Sequence, residues 1–329
     1  MHVAIKPHQH ENPEPGMGLP LPNGKLSMWL FIVTEIMFFT ALIGTYLILR
    51  GGVPADSKGI LHWPTPHQVH LSEFTGAFNT LILLASSLTV VLAQWFASRN
   101  DQTRTNGFIA ATICLGCVFL GIKAIEYREK FRHGILPGRM GELLPGMTIQ
   151  RQNSFHNVGI QYVERVRSQL EEHVVSTGKI IAPDLKTLSD ISPEIIANCP
   201  DVTKAAFNIL QRMTGKMNKD KEGNPVYQSP LSPAEVGFEV NQLLKESSGT
   251  IHLSPAIPFG NIWSSCYFTM TGLHAIHVLV GILVFLVFLC RSFLGSVGAE
   301  FAGSLEVAGL YWHFVDIVWI ILFPLLYLI

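Results

Sequence analysis

The chain has 329 residues, a mean hydropathy of +0.33 and a charged fraction of 14%, against roughly 25% in ordinary soluble domains. Lys and Arg number 23 and Asp and Glu 24, so no global field steers a polyanion and no nucleic-acid partner is expected. This composition excludes a disordered chain and a coiled coil, and the length alone suggests about two domains.

The charge is unevenly spread. Residues 128–258 hold 15 Lys/Arg and 14 Asp/Glu, more than half of each total. The chain reads as a membrane protein interrupted by one soluble-like segment. Its expected parts are a cytoplasmic tail over 1–27, three spans within 28–127, an insert over 128–258 and two spans within 259–329.

The N-terminal tail is polar, with Pro and His, and has no apolar region of the kind a cleaved signal peptide carries, so the first span is expected to direct insertion itself. His2, His8 and His10 are weak metal-binding candidates or simply solvated. A bilayer-spanning helix needs about 20 mostly apolar residues. Five segments qualify, over 28–50, 74–97, 106–127, 260–290 and 306–329, and the fourth contains no Asp or Glu and no Lys or Arg. The connection 51–73 is rich in Gly, Pro and His, 98–105 is a tight polar turn, and 291–305 is a loop of small residues.

Positive residues in short loops stay cytoplasmic. Lys6, Lys25, Arg99, Arg104 and Arg291 fall on one side and Arg50 and Lys58 on the other. The expected topology is therefore N-in and C-out, which puts the insert outside. Within the insert, Val158, Tyr162, Val166, Leu170 and Val174 recur at helical spacing, as do Val202, Ala206, Ile209 and Met213. Ser232-Pro233-Ala234-Glu235 is a capping box with Pro at the first helical position, followed by Val236, Val240, Leu243 and Leu244. Ser192-Pro193-Glu194 is a similar start, and 216–231 reads as a loop. The fold class is an all-α membrane protein of five transmembrane helices, N-in/C-out, with a soluble helical extracytoplasmic insert.

Few residues carry chemistry. Glu35 lies six residues beyond Trp29, about 9 Å along the first span. A charge at membrane depth costs at least ~2.5–3.5 kcal/mol, so this carboxyl must face protein or water. Two readings are open: a proton-handling group near the cytoplasmic side, or a hydrogen-bonded carboxyl between helices. His274 and His277 share a face at i, i+3. They read as interhelical hydrogen-bonding groups, since a metal centre needs three or four ligands. His313 and Asp316 repeat that spacing, and Asp316 is expected to pair locally. Lys123 and Glu126 read as a snorkelling ion pair at the outer end of the third span. Cys114 and Cys117 read as small-residue packing rather than redox chemistry. The five cysteines form no disulfide framework or haem-attachment motif, and no phosphate-binding motif or complete active site is visible.

Several motifs together resemble one family. WLFIVTEIMFFTALIGTYL (29–47) resembles the helix of cytochrome c oxidase subunit III that carries its buried glutamate. HWPTP (62–66) and FNTLILLASS (78–87) are similar to that family's next loop and helix, and IKAIEY (122–127) to its short motif ending in Glu-Tyr. YFTMTGLHAIHVLVG (267–281) and AGLYWHFVDIVWIILF (308–323) match its last two helices. The resemblance implies an accessory subunit of a haem-copper oxidase that reduces O2 to water and pumps protons.

By that resemblance the chain itself binds neither haem nor copper, which sit in partner subunits. It packs with subunits I and II, holds phospholipid between its helices and supports proton uptake. Glu35 falls on the family's buried glutamate, and His274 and His277 fall on positions that hold no metal there. Trp63, Asn79, Glu126, Tyr127, Trp312, His313 and Asp316 are implied as structural or lipid-cleft residues. The implied location is a bacterial-type inner membrane, crossed several times. Five-span relatives also serve quinol oxidases and nitric oxide reductases, and an autonomous proton-coupled transporter is the rival from another class. The family has only a short loop where this chain carries its insert. A contact of the insert with subunit II or a periplasmic electron donor is the expectation there.

Overall fold

The computed structural model describes residues 23–53, 62–141, 152–177, 196–214, 217–219, 225–227, 231–247, 249–295 and 298–329. Its helices are α1 (Asn23–Gly51), α2 (Glu73–Ala97), α3 (Gln102–Arg132), α4 (Gln152–Thr177), α5 (Asp201–Thr214), α6 (Pro233–Ser247), α7 (Gly260–Leu294) and α8 (Ala299–Phe323). A π-helical turn, Pro324–Leu328, completes the last of them. Five helices are long and apolar enough to cross a membrane: α1, α2, α3, α7 and α8 with its π turn. The chain is an all-α, multi-pass membrane protein.

The spans run past their apolar stretches because local chemistry sets their ends. Ser72 caps α2 by accepting from Thr75 N at 3.3 Å, and Asp101 caps α3 by accepting from Arg104 N at 3.1 Å. At the other end, α3 continues to Arg132, with Lys130 and Arg132 in its last turn, where cations suit the helix dipole. The first five residues assigned to the insert by composition, 128–132, therefore belong to the third membrane helix. Pro324 has no N–H to donate, and the helix shifts to the wider π register there, closed by Ile329 N donating to Pro324 O at 3.1 Å.

α8 is the most buried span and α1 the least. α2 packs on α3 and α8, α3 on α7, and α7 on α8, while α1 leans on α7 and α8. The four-helix interior is closed by Trp312, which Gly116 and Gly281 admit from two sides. A Cβ on Gly281 would stand 2.6 Å from Trp312 Cε3, and one on Gly116 would stand 3.0 Å from Trp312 and Ile282. Small residues allow such close approach where lipid supplies no hydrophobic drive between helices. Gly116, and not its cysteine neighbours, makes the close packing. Cys114 and Cys117 are exposed on the outer face of α3, contrary to the packing expected of them. Helical rotation turns both of them well away from the buried glycine, by about 160° and about 100°.

The insert has its own core, in which Tyr162, Val166, Leu170, Val174, Ala206, Ile209, Leu210, Val236, Val240 and Leu243 are buried together. The expected periodicities hold, and the capping box forms as read. Glu235 Oε2 accepts from Ser232 N at 2.7 Å while Ser232 Oγ accepts from Glu235 N at 3.4 Å. Those bonds from Ser232 hold the Glu235 carboxyl below its ordinary range. Where a loop was expected over 216–231, Met217–Lys219 and Pro225–Tyr227 pair as an antiparallel ladder. Three-residue strands are too short to leave an alternating pattern in the sequence. Ser192-Pro193-Glu194, the Val158 side chain and His2, His8 and His10 lie outside the described residues.

The two chain segments that link insert to bundle run side by side. Gly141 N donates to Pro255 O at 3.2 Å and Ile257 N to Gly141 O at 2.9 Å. Two asparagines clamp the crossing. Asn261 accepts from Met140 N at 3.2 Å and donates to Met140 O at 3.0 Å, and Asn241 does the same with Ala256 at 3.0 and 2.6 Å. Because both ends of the insertion meet, it adds a unit without prying α3 from α7.

Gly281→Ala should lower the stability of the detergent-solubilised protein by roughly 1–3 kcal/mol, the usual penalty of overpacking. Gly303→Ala, with nothing within 4 Å of its new Cβ, should be neutral or stabilising. Thermal unfolding of the two variants side by side checks this.

Candidate functional site: polar contacts among the spans

Glu35 on α1 meets His277 on α7, with Oε2 3.2 Å from Nε2. His277 Nδ1 stands 2.8 Å from Leu273 O. A carbonyl oxygen can only accept, so Nδ1 carries a hydrogen. Nε2 then carries one only in the imidazolium form. A hydrogen bond across this contact therefore needs a proton either on the carboxyl, as O–H···N, or on the ring, as N–H···O. Phe39 lies edge-on to His277 at 5.5 Å, and Tyr311 Oη donates to His277 O at 2.9 Å. Both side chains are partly exposed, at 17% and 21%, so this contact is reachable from outside the bundle. The carboxyl does have a partner from another helix, 242 positions away.

His274 does not join His277. It points into the interior, stacked on Trp319 at 5.1 Å and edge-on to Phe119 at 5.7 Å. Neither ring nitrogen has a partner among the described residues, so the hydrogen-bonding role expected of it is replaced by aromatic packing. The physical reason is the helical twist, which turns residues three apart through about 60° and here sends one ring to α1 and the other to α3 and α8.

Lys123 and Glu126 differ most from expectation. They do not snorkel: Lys123 is 3% exposed, and its ammonium donates to Glu126 Oε1 at 3.1 Å, Tyr267 Oη at 3.1 Å and Tyr327 Oη at 2.8 Å. Glu126 in turn accepts from Tyr267, and from Tyr327 at 2.7 and 2.8 Å. All three N–H groups of the lysine are used. The cluster joins α3, α7 and the π turn. Reaching the surface would leave two tyrosine hydroxyls in a dry interior, which costs more than keeping the pair inside. One turn on, Lys130 is also buried. It donates to Val69 O at 2.8 Å, and the Tyr267 ring centroid is 4.7 Å away. Tyr127 shares a 2.6 Å hydrogen bond with Thr271.

Trp312 and His313 belong to a second polar layer between α2 and α8, whereas Asn79 and Trp63 bond to other helices. His313 Nδ1 lies 2.6 Å from Ser87 Oγ, and Asp316 Oδ1 is buried without a hydrogen-bond partner among the described residues. Trp312 Nε1 donates to Ser86 Oγ at 3.0 Å and Trp319 Nε1 to Thr80 Oγ1 at 3.0 Å. Asn79 donates to Phe119 O at 3.5 Å, the weak end of the range. Trp63 donates to Tyr46 Oη at 3.1 Å, tying the α1–α2 connection to α1. Sequence reasoning passed over Tyr267, Tyr327, Lys130 and Ser87. Only Lys130 left a signal, a lysine following Lys123 at a helical i, i+7 spacing.

The sequence profile described as cytochrome c oxidase subunit III matches residues 21–139 and 242–329. That covers the five spans and omits most of the insert. The chain belongs to the cytochrome c oxidase subunit III family. It is 44% identical over 70 residues to cytochrome c oxidase subunit 3 of Thermostichus vulcanus, covering 21% of this chain and 35% of that protein. It is 38% identical over 130 residues to a probable cytochrome c oxidase subunit 3 of Rickettsia bellii, covering 36% and 46%. It is 24% identical over 152 residues to the cytochrome bo(3) ubiquinol oxidase subunit 3 of Pseudomonas putida, covering 46% and 70%. The match thus spans about a third of the length of the Thermostichus relative. Donor types of both kinds occur among the relatives of this subunit III family member.

Breaking the buried pair should cost more than replacing it. Lys123→Met leaves Glu126 buried and unpaired and should destabilise by about 3–5 kcal/mol. The double variant Lys123→Met/Glu126→Gln should recover much of that loss. Unfolding midpoints in one detergent, compared across the three proteins, measure the difference.

Proposed function

We propose that this chain is the non-redox subunit III of a respiratory haem-copper oxidase, in which it supports proton uptake, binds phospholipid and stabilises subunit I during the reduction of O2 to water. The observation that carries the reading is the 3.2 Å contact of the Glu35 carboxyl with the His277 ring between two spans of a subunit III family member. A group that exchanges one proton between carboxyl and imidazole, at a partly exposed site, can take protons up and pass them on. Haem and copper sit in partner subunits on this reading, and the electron donor is cytochrome c. Quinol as donor is a second reading, favoured by the match that extends over 70% of the Pseudomonas putida quinol oxidase subunit.

The proposed orientation is N-in and C-out in a bacterial inner membrane, from the excess of Lys6, Lys25, Arg99, Arg104 and Arg291 over Arg50 and Lys58 in short segments. The insert then lies outside, where it meets subunit II or a periplasmic electron donor. The exposed apolar face of α1, with Leu30, Met37 and Ile48, suits phospholipid.

Glu35→Gln keeps size and a hydrogen-bond donor for His277 Nε2 but has no proton to pass. The assembled complex should form, and O2 turnover should fall several-fold at alkaline pH, where bulk protons are scarce, and little at neutral pH. Turnover against pH decides it: identical profiles make Glu35 a structural group, and failure to assemble makes it an interhelical tie. Protease added to intact spheroplasts should cut within 142–258. Cleavage only after the membrane is opened reverses the orientation.

A further inference from the structure

Three histidines at the insert end of the bundle are used by none of the contacts above. His70 lies in the α1–α2 connection, His133 closes α3, and His252 lies in the segment returning from the insert. The His70 ring stacks on His133 with centroids 4.3 Å apart and planes 21° from parallel. His252 meets the same His133 ring edge-on at 5.9 Å. His70 is held in place by a turn in which its own φ is 52°, Leu71 N donates to Pro66 O at 2.8 Å and Val69 O accepts from buried Lys130. His252 is anchored by its neighbours Ile251 and Leu253, both in the insert core. The stack thus joins a membrane-side loop, a membrane helix and the insert.

The hydrogen positions follow from the partners. His133 Nδ1 donates to Glu129 O at 2.8 Å, which leaves Nε2 with its lone pair in the neutral ring. Arg132 Nη2 lies 3.4 Å from His252 Nε2, and an arginine can only donate, so that nitrogen is unprotonated. Protonating His252 there replaces a hydrogen bond by two facing cations. The other charged or titratable groups around the stack are Lys130, Arg132 and Glu129 on α3 and His67 in the connection. Glu129 Oε2 stands 3.8 Å from His133 Nδ1 and is the one anion among them.

We propose that His70, His133 and His252 form an acid-sensitive latch, which fastens the insert to the membrane bundle while its rings are neutral and loosens when the insert side is acidified. Burial, then His133, Lys130 and His67, hold His70 below its ordinary value of 6.5, against Glu129 alone. An opened ring returns toward that ordinary value. The sign follows: the latch is at full strength above 6.5 and weakens as pH falls below it, because the open form binds the proton more readily.

The test is hydrogen exchange of the full-length protein in lipid nanodiscs, read on peptides covering 132–141 and 249–258. After correction for the intrinsic rate, exchange there should be about tenfold faster at about pH 5 than at about pH 8, and peptides of α2 should not change. Raising salt from about 0.02 to about 0.5 M should shrink the step, because the opening force is repulsion between partly exposed cations. His70→Phe/His252→Gln keeps a stacked ring and an acceptor for Arg132 but removes two of the three imidazoles, and should hold the step below about twofold. A wild-type profile flat in pH, a step indifferent to salt, or a full step in a folded double variant each overturns the latch.

Discussion

Lys123 has three N–H groups to place in a region where lipid offers no acceptor, and the bundle is arranged around that need. Glu126 on the same helix takes one, Tyr267 on α7 the second and Tyr327 on the π turn the third. Glu126 then accepts from both tyrosines, so the ion pair is closed on itself. The consequence runs outward. Tyr327 reaches the cluster from the wider turn that Pro324 imposes, and that turn ends the most buried span. With Trp319 and Trp312 anchored to Thr80 and Ser86, α8 is fixed to α2 at two further heights.

α1 is held differently. It is the least buried span: Ile32, Phe39 and Tyr46 seat it in the core, and polar ties are spaced along its length. Lys25 pairs with Glu306 at 2.6 Å, Glu35 meets His277, and Arg50 donates to Ile329 O at 2.6 Å. A helix attached along one narrow face keeps the rest of its apolar surface exposed, as at Leu30, Met37 and Ile48. It also keeps Glu35 near that surface, with its side chain 21% exposed.

The insert solves a topological problem rather than an energetic one. It folds around its own core and meets the bundle where Asn241 and Asn261 each bind backbone of the crossing segments. An amide side chain that both donates to and accepts from one residue's backbone fixes register as a neighbouring strand does.

Five spans, the helical insert and its capping box at Ser232 were legible in the sequence, because lipid demands long apolar runs and amphipathic helices keep a 3.6-residue period. Glu35 stood out as a carboxyl in such a run. The short Met217–Tyr227 hairpin was not legible, since three-residue strands carry too little pattern. Lys123 and Glu126 gave a local pair but not their burial, because i, i+3 spacing says that two residues meet and not what else meets them. Spacing likewise put His274 beside His277, while the neighbouring helices gave one ring to Trp319 and the other to Glu35. The sequence by itself determined which segments enter the membrane and which residues are costly there, since both follow from transfer free energy along the chain. Only the tertiary structure decided which helix answers each of those residues, because the partners lie up to 242 positions away and are chosen by packing.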